Sequence, residues 1–372
     1  MTVEHRRCNR CVMDTSVPDI RFDREGLCNY CTQFLLEKVT RPLADRAARS
    51  DALNRLVSDI RRQGSGRRYD CVIGVSGGVD SSWVLVQAVR MGLRPLAVHM
   101  DNGWNSELAQ NNIANLVRGL GLDLDTHVID WREYRGLMQA FFDADVVDVE
   151  LLYDNAMFAV NYRQAAGIGV RHILGGMNHA TEGMRLPVGW NWYKFDKRNI
   201  KGIARRFGGP SLRSFPAIGL IDRAWYQYVR GIHWSSILDL MDFSKQEALG
   251  VLQSEFGYKS YPYKHYESVF TRFYQGYILP RKFGIDKRLV HLSTLILNAQ
   301  LTRDAALQLL AQIPYPSEAE METDRRYFVK KMGWTDAQLN EYIGRPEKSH
   351  ALYGSSYRIL NVIRRRRAED RR

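Results

Sequence analysis

The sequence predicts an α/β protein, a doubly wound parallel sheet with a cysteine-rich N-terminal segment and a mainly helical C-terminal region. Three observations predict it. Short apolar, β-rich runs alternate with helical periodicities from Tyr69 to Gly176. Two Cys-x-x-Cys pairs fall between Cys8 and Cys31. After about residue 205 aromatic residues at helical spacing take over. The expected division is 1–66 for the cysteine-rich segment and a linker helix, 67–205 for the sheet, and 206–372 for the helical region with its basic tail.

Each element has its own signal. From Pro42 to Arg62, the residues Leu43, Leu53, Leu56, Val57 and Ile60 mark one helix face. Gln63-Gly64-Ser65-Gly66 reads as a linker. Cys71-Val72-Ile73-Gly74-Val75 is short and apolar, as a buried parallel strand should be. A Gly-rich loop follows, then a helix from Ser82 to Met91 stopped by Gly92. A strand from Pro95 to Met100 leads into Asp101-Asn102-Gly103, and a helix from Ser106 to Gly119 precedes a strand at His127 to Ile129. A helix over Asn155 to Ala166 and a strand from Arg171 to Leu174 end at Gly175-Gly176. Beyond, Phe270, Phe273, Tyr274 and Tyr277 share a helical face, and Leu301 to Leu310 forms a further amphipathic helix.

Composition bounds the function. The 372 residues suffice for two domains, and 45% hydrophobic with 25% charged residues is globular, not disordered. No run of about 18 apolar residues suggests a membrane span. The start, Met1 to Cys8, lacks the apolar core of a signal peptide, so a soluble, cytoplasmic protein is expected. The net charge is +12, part of it in Arg364 to Arg367, Arg371 and Arg372. Such a balance suits a polyphosphate substrate, an acidic partner subunit or RNA, and the tail itself reads equally well as a solvated extension.

Ser76-Gly77-Gly78-Val79-Asp80-Ser81 lies directly between a strand and a helix. Its glycines let the backbone approach an anion, and the helix start offers free N–H groups. Ser76, Ser81 and Ser82 add hydroxyls. Asp80 would repel phosphate directly, so it suits Mg²⁺. The plainer alternative is a Gly-Gly turn whose Ser or Asp caps the helix. No Gly-Lys-Ser/Thr closes the loop, which excludes a Walker motif. It resembles the PP-loop of the ATP pyrophosphatases, shared by NAD, GMP and asparagine synthetases and tRNA-thiolating enzymes, whose fold is HUP-like. That resemblance implies ATP as substrate, cleaved between the α and β phosphates, with AMP passed to a substrate oxygen.

Cys8-x-x-Cys11 and Cys28-x-x-Cys31 read as four thiolate ligands of a structural Zn²⁺. Two redox dithiols are the alternative reading. Cys71, inside the first predicted strand, reads as a small buried hydrophobe.

Longer blocks carry a closer resemblance. Cys8-Asn9-Arg10-Cys11-Val12-Met13-Asp14-Thr15, Asn102 to Ala109, Asp130-Trp131 and Gly175 to Gly183 are similar to the N-acetyl sugar amidotransferases. So are Lys264-His265-Tyr266-Glu267-Ser268, Thr271-Arg272-Phe273, Lys282 to Arg288 and His291-Leu292-Ser293. The resemblance runs to about residue 345 and leaves the arginine tail outside. One departure is Asn298-Ala299-Gln300, where the family has a central glycine; it sits in a helix turn, away from the chemistry.

The resemblance implies conversion of an acetamido group on a bacterial surface-polysaccharide sugar, free or nucleotide-linked, into an acetamidino group. Ammonia cannot expel hydroxide from an amide, because water has a pKa of about 15.7. Adenylylating the amide oxygen turns it into a phosphate leaving group. Ser76, Gly77, Gly78, Val79, Ser81 and Ser82 would bind pyrophosphate, and Asp80 Mg²⁺. Met100, Asp101, Gly103, Gly176 and Asn178 would line the cleft. Glu182 would hold a second metal or steer ammonia, or be a loop carboxylate. Lys264, His265 and Glu267 would approach the reacting centre, while Lys282, Lys287 and Arg288 would meet phosphate or a sugar carboxylate; ion-paired surface roles weigh equally for these six.

With every cysteine except Cys71 given to zinc and none directly following Met1, a separate glutaminase is expected, with a channelling subunit like the cyclase of histidine biosynthesis. The rival reading is a tRNA-modifying enzyme of the thiolation type, but such enzymes need a reactive cysteine and Cys71 is a poor one. A nucleic-acid partner is therefore not expected. A non-catalytic zinc protein with a degenerate nucleotide fold is a third reading, disfavoured by the intact Asp80 and Ser81.

Overall fold

The computed structural model describes residues 5–40, 45–262, 264 and 266–357. Leu43, His265 and the arginine tail lie outside the described residues. In chain order the elements are α1 (Asn29–Thr40), α2 (Arg46–Gln63), β1 (Cys71–Gly74), α3 (Val79–Arg90), β2 (Pro95–Asp101), α4 (Glu107–Leu120) and β3 (Leu124–Val128). There follow α5 (Trp131–Asp143), α6 (Leu151–Ile168), β4 (His172–Gly175), the single turn α7 (His179–Glu182), α8 (Lys197–Arg206), α9 (Leu220–Ala224), β5 (His233–Ser236) and α10 (Lys245–Phe256). The remainder is helical: α11 (Val269–Phe273), α12 (Leu279–Phe283), α13 (Arg288–Leu297), α14 (Arg303–Ala311), α15 (Glu318–Met332) and α16 (Asp336–Gly344).

Five parallel strands form one sheet in the order β3-β2-β1-β4-β5. Alternation along the strands splits the core in two. Val72, Leu96, Val98 and Ile173 face one layer, which includes α5 and α6. Cys71, Ile73, Ala97 and Leu174 face the other, built from α2, α3, α4 and α10. Helices therefore cover both faces, as continuous apolar strands require.

Two strands depart from the sequence expectation. β3 begins at Leu124, three residues before the run expected at His127. It is an edge strand whose side chains alternate between exposed and half-buried, so no apolar run betrays its start. β5 lies within the stretch expected to be mainly helical, so the sheet reaches beyond residue 205. His233-Trp234-Ser235-Ser236 has no β-branched residue, and its aromatic neighbours imitate a helical pattern.

Chain order reverses at β1, with β2 on one side and β4 on the other. In an open α/β sheet the crevice at such a switch, outside the strands' carboxyl ends, is where ligands bind. The loop after β1 and Gly175-Gly176 at the end of β4 meet there. A Cβ on Gly176 would stand 2.8 Å from the Ser81 amide nitrogen, so only glycine fits.

Candidate active site

The loop Ser76 to Ser81 is tied to itself. Ser81 Oγ takes a hydrogen bond from the Ser76 amide (3.3 Å), lies 3.2 Å from Ser76 Oγ and donates to Gly78 O (3.2 Å). Gly77 has φ +85°, and a Cβ there would meet the Ala109 carbonyl at 2.8 Å. Two phenols, Tyr258 Oη (2.8 Å) and Tyr261 Oη (3.0 Å), donate to the Gly77 carbonyl. Burial pushes both phenols well above their ordinary range, so they stay donors. Their segment is held in turn by Asn112 of α4, which exchanges hydrogen bonds with the Lys259 backbone.

Asp80 sits in the first turn of α3. Its Oδ2 accepts from Thr181 Oγ1 (3.2 Å) and Asn178 Nδ2 (3.3 Å), while its Oδ1 is buried without a partner among the described residues. Burial lifts the carboxyl above its ordinary range, with Lys245 pulling it down and Glu182 pushing it up. Asn178 caps α7 by accepting from the Thr181 amide. Glu182, at the end of that turn, pairs with Lys264 at 2.6 Å.

A chain of polar groups joins the ends of β1 and β2. His99 Nδ1 lies 2.9 Å from Val75 O, which fixes Nδ1 as the donor and leaves Nε2 to accept from Asn105 Nδ2 at 3.0 Å. Asn105 also donates to Asp101 Oδ1 (3.2 Å), and the Gly103 amide donates to the same oxygen (2.8 Å). Gly103, at φ +80°, turns its carbonyl to Lys331 of α15.

Glu267 reaches the loop from the far side of the chain. Ser106 N donates to Glu267 O (2.8 Å), Val269 N donates to Trp104 O (2.8 Å), and Asn105 bridges Ser268. These contacts set the Glu267 carboxylate over the loop: a Cβ on Gly78 would lie 2.5 Å from its Oε1. Burial raises this carboxyl too.

The structure thus gathers Ser76, Gly77, Gly78, Asp80, Ser81, Gly176, Asn178, Glu182, Lys264 and Glu267 around one crevice. Others expected there are engaged otherwise. Ser82 turns inward, 1% exposed, and the Val79 and Met100 side chains belong to the core, which leaves only their backbone for a ligand. Lys282 gives its Nζ to Asp145 Oδ1 (3.1 Å) and to the carbonyls of Tyr342 (2.7 Å) and Arg345 (2.8 Å), saturating its three donors away from the loop. Arg288 is spent on Asp286 and the carbonyls of Leu309 and Gln312. Lys287 pairs with Glu150. These three are internal clamps and correct the expectation of phosphate contact.

Tyr258, Tyr261 and Lys245 carry no sequence signal that singles them out, and His291 stands in a block of the family resemblance with no role assigned to it. His291 is buried, which holds its pKa well below the ordinary value, and it faces Lys264 and Lys245. The Phe256-Gly257-Tyr258-Lys259-Ser260-Tyr261-Pro262 stretch reads as a turn-rich loop, and only the fold returns it to Gly77.

The four sulfurs of Cys8, Cys11, Cys28 and Cys31 lie within 4.8 Å of one another, all buried. Cys8 Sγ is 3.7 Å from Cys31 Sγ and Cys11 Sγ 3.6 Å from Cys28 Sγ. Zn–S bonds of about 2.3 Å in a tetrahedron give edges of about 3.8 Å, so these residues fit zinc. Both of these contacts join different Cys-x-x-Cys motifs, unlike redox dithiols, which close within one. Arg303 of α14 donates to the carbonyls of Cys8 (2.9 Å) and Cys11 (3.1 Å), binding this segment to the C-terminal helices. From there Asn298 and Gln300 reach the α7 carbonyls of His179 and Ala180. Ala299 between them has φ +57°, the left-handed conformation a glycine takes without strain. The turn therefore braces the segment that carries Asn178 and Glu182, and is not remote from the site.

Residues 267–366 match the model of the family described as LPS biosynthesis protein WbpG-like, C-terminal domain. Those residues are similar to the WbpG-like C-terminal domain. The match begins at Glu267, the residue lying on the loop, and ends past the limit of about 345 expected above, inside the arginine tail. No curated protein matches the chain. Three solved structures are similar to it. They are NMN synthetase from Francisella tularensis (16% identity, 59% of this chain and 99% of that one, TM-score 0.30) and NH3-dependent NAD synthetase from Campylobacter jejuni subsp. jejuni NCTC 11168 (15%, 73% and 99%, TM-score 0.31). The third is a predicted subunit of tRNA methyltransferase from Methanocaldococcus jannaschii DSM (12%, 49% and 75%, TM-score 0.29). No described helix is long and apolar enough to cross a membrane.

Proposed function

We propose that this chain is an ATP-dependent amidotransferase that converts an acetamido group of a bacterial surface-polysaccharide sugar, free or nucleotide-linked, into an acetamidino group. The observation that carries the reading is the meeting at one crevice of a Gly-Gly phosphate-type loop and the first residue of a WbpG-like region. The loop supports ATP as substrate, and the WbpG-like region supports a sugar of the lipopolysaccharide class as acceptor.

The residues divide the work as follows. The amides at the start of α3 and the Ser76 and Ser81 hydroxyls hold the β and γ phosphates, and the Tyr258 and Tyr261 phenols fix the Gly77 peptide so that it keeps its orientation. Asp80, with an orphaned buried oxygen, fits Mg²⁺, which when bound would neutralise charge on the departing pyrophosphate. Lys245 and Lys264 add positive charge at the rim. Asp101 and Gly103 border the space where the acceptor amide would sit. The amide oxygen attacks the α phosphorus, and the bond to the β-phosphate oxygen breaks. Ammonia then adds to the imidate carbon, and AMP leaves with the former amide oxygen.

Ammonia comes from a separate cytoplasmic glutaminase, with a channelling subunit between them. Four cysteines are committed to the zinc-type cluster. Cys71 is sealed in β1, where burial pushes its thiol well up, so it is no nucleophile. The test is mass spectrometry of the purified chain with ATP, Mg²⁺, ammonium and a panel of diacetamido sugars. The expected result is a sugar with oxygen exchanged for NH, released with AMP and pyrophosphate. Turnover driven by tRNA instead of any sugar would overturn the reading. Glutamine-dependent turnover by the chain alone would remove the glutaminase.

A further inference from the structure

We infer that Glu267 is a direct ligand of the divalent cation held by Asp80, so that the C-terminal region supplies part of the cation site. This rests on the reading of Ser76 to Ser81 as a phosphate loop.

Four observations converge. First, the Glu267 backbone is held in place: its carbonyl takes the Ser106 amide and its neighbour Ser268 bridges Asn105, which ties it to β2's own exit loop. Second, its Oε1 lies 2.5 Å from the position of a Cβ on Gly78, and Ser76 Oγ lies 3.4 Å from that same point. A carboxylate is therefore seated at the mouth of a loop built for anions. Third, it makes no ion pair with a described residue, and Lys245, Lys264 and Asp80 are the charged groups within its electrostatic reach. Fourth, Asp80 Oδ1 is buried and unpartnered, while Thr181 and Asn178 pin Oδ2.

Two carboxylates facing the seat of a polyphosphate repel each other and it. A cation between them resolves both conflicts. Mg²⁺ and Mn²⁺ take one or two carboxylates, keep some water and complete their shell with substrate phosphate oxygens, which is the donor set this crevice offers. Glu182 is the competing candidate, but its carboxylate is already paired with Lys264 at 2.6 Å.

The test is Mn²⁺ binding followed by electron paramagnetic resonance on the full chain, with the metal alone and with α,β-methylene-ATP. Wild type, Asp80→Asn, Glu267→Gln and Glu182→Gln are compared. Asp80→Asn and Glu267→Gln should each weaken Mn²⁺ binding at least about tenfold, and Glu182→Gln by less than about twofold. If Glu267→Gln fails to fold by circular dichroism, Glu267→Asp, which keeps the charge and withdraws the oxygen, should show the same weakening. Unchanged Mn²⁺ affinity in the Glu267 variants overturns the inference. So does loss in Glu182→Gln alone, or a wild-type chain that takes no Mn²⁺ in either condition. Mn²⁺ bound through Glu267 without any nucleotide binding would uphold the cation site and sink the phosphate-loop reading instead.

Discussion

The cysteine cluster, whose geometry fits zinc, and the Asp80 crevice, proposed above to hold a divalent cation, are built in opposite ways. The cysteine cluster supplies four ligands from one short stretch, buries them all and leaves no open position. The crevice takes its acids from residues far apart in sequence and leaves an oxygen of Asp80 unmatched. A closed set of ligands holds structure together, and an open set leaves room for a substrate. The two are nevertheless linked, because the cysteine segment docks on α14 through Arg303 and the adjoining turn braces α7 beside Asp80.

The largest expected effect breaks the closed site. Metal analysis should find one zinc per chain, and Cys11→Ser should remove it and lower stability by about 4 kcal/mol or more. Nucleotide turnover should fall with it, since the brace on α7 goes too. Asp80→Asn, by contrast, should leave the zinc content and the melting temperature nearly unchanged while abolishing turnover. Equal loss of zinc in both variants would contradict the division.

A second expectation concerns a buried histidine that belongs to neither site. His350 accepts from the Asp148 amide (3.2 Å) through Nε2 and shares a 2.8 Å hydrogen bond with Asn199 through Nδ1, so it is neutral. Burial pushes its pKa down to about 4. Its unfolded value is about 6.5, so between these values the unfolded chain binds more protons and stability rises with pH. That contribution, on the order of 3 kcal/mol, is present above about pH 6.5 and lost as pH falls to about 4. Thermal melts from pH 7 to pH 4.5 should show the decline, and His350→Gln should flatten it. The Mn²⁺ affinity measured at pH 7 should not change in that variant, which separates fold stability from the open site.

The open site should respond to smaller changes. Tyr258→Phe and Tyr261→Phe each remove one hydrogen bond from the Gly77 carbonyl, and each should cost about tenfold in kcat/KM for ATP. A change confined to thermal stability would make the phenols packing groups and nothing more. Smallest of all, Ala299→Gly relieves a left-handed alanine and should stabilise the chain by about 1 kcal/mol, read as a rise in Tm of about 2 °C. A lowered Tm would show that the turn is held without strain.

Much of this was legible in the sequence because the signals were local. The strand at Cys71, the Gly-Gly loop and the paired cysteines each sit within a few residues of their own explanation. What escaped was set by long-range contact. β5 has no strand-like composition and is a strand because β4 offers an edge to pair with. Tyr258 and Tyr261 carry no motif and matter only through where their loop returns. Lys282 and Arg288 carried the right charge for phosphate, but their neighbours in the fold are carbonyls and aspartates. Charge type can be read from sequence, whereas the partner that neutralises it depends on topology.

The Tyr258 bond to Gly77 spans 181 residues. On the ribosome, the loop after β1 emerges long before its phenolic clamp, its β5 edge or Glu267. An emerging chain therefore carries this loop, tied only to itself, before its long-range clamp exists, and the proposed nucleotide turnover waits until at least Glu267 has been made.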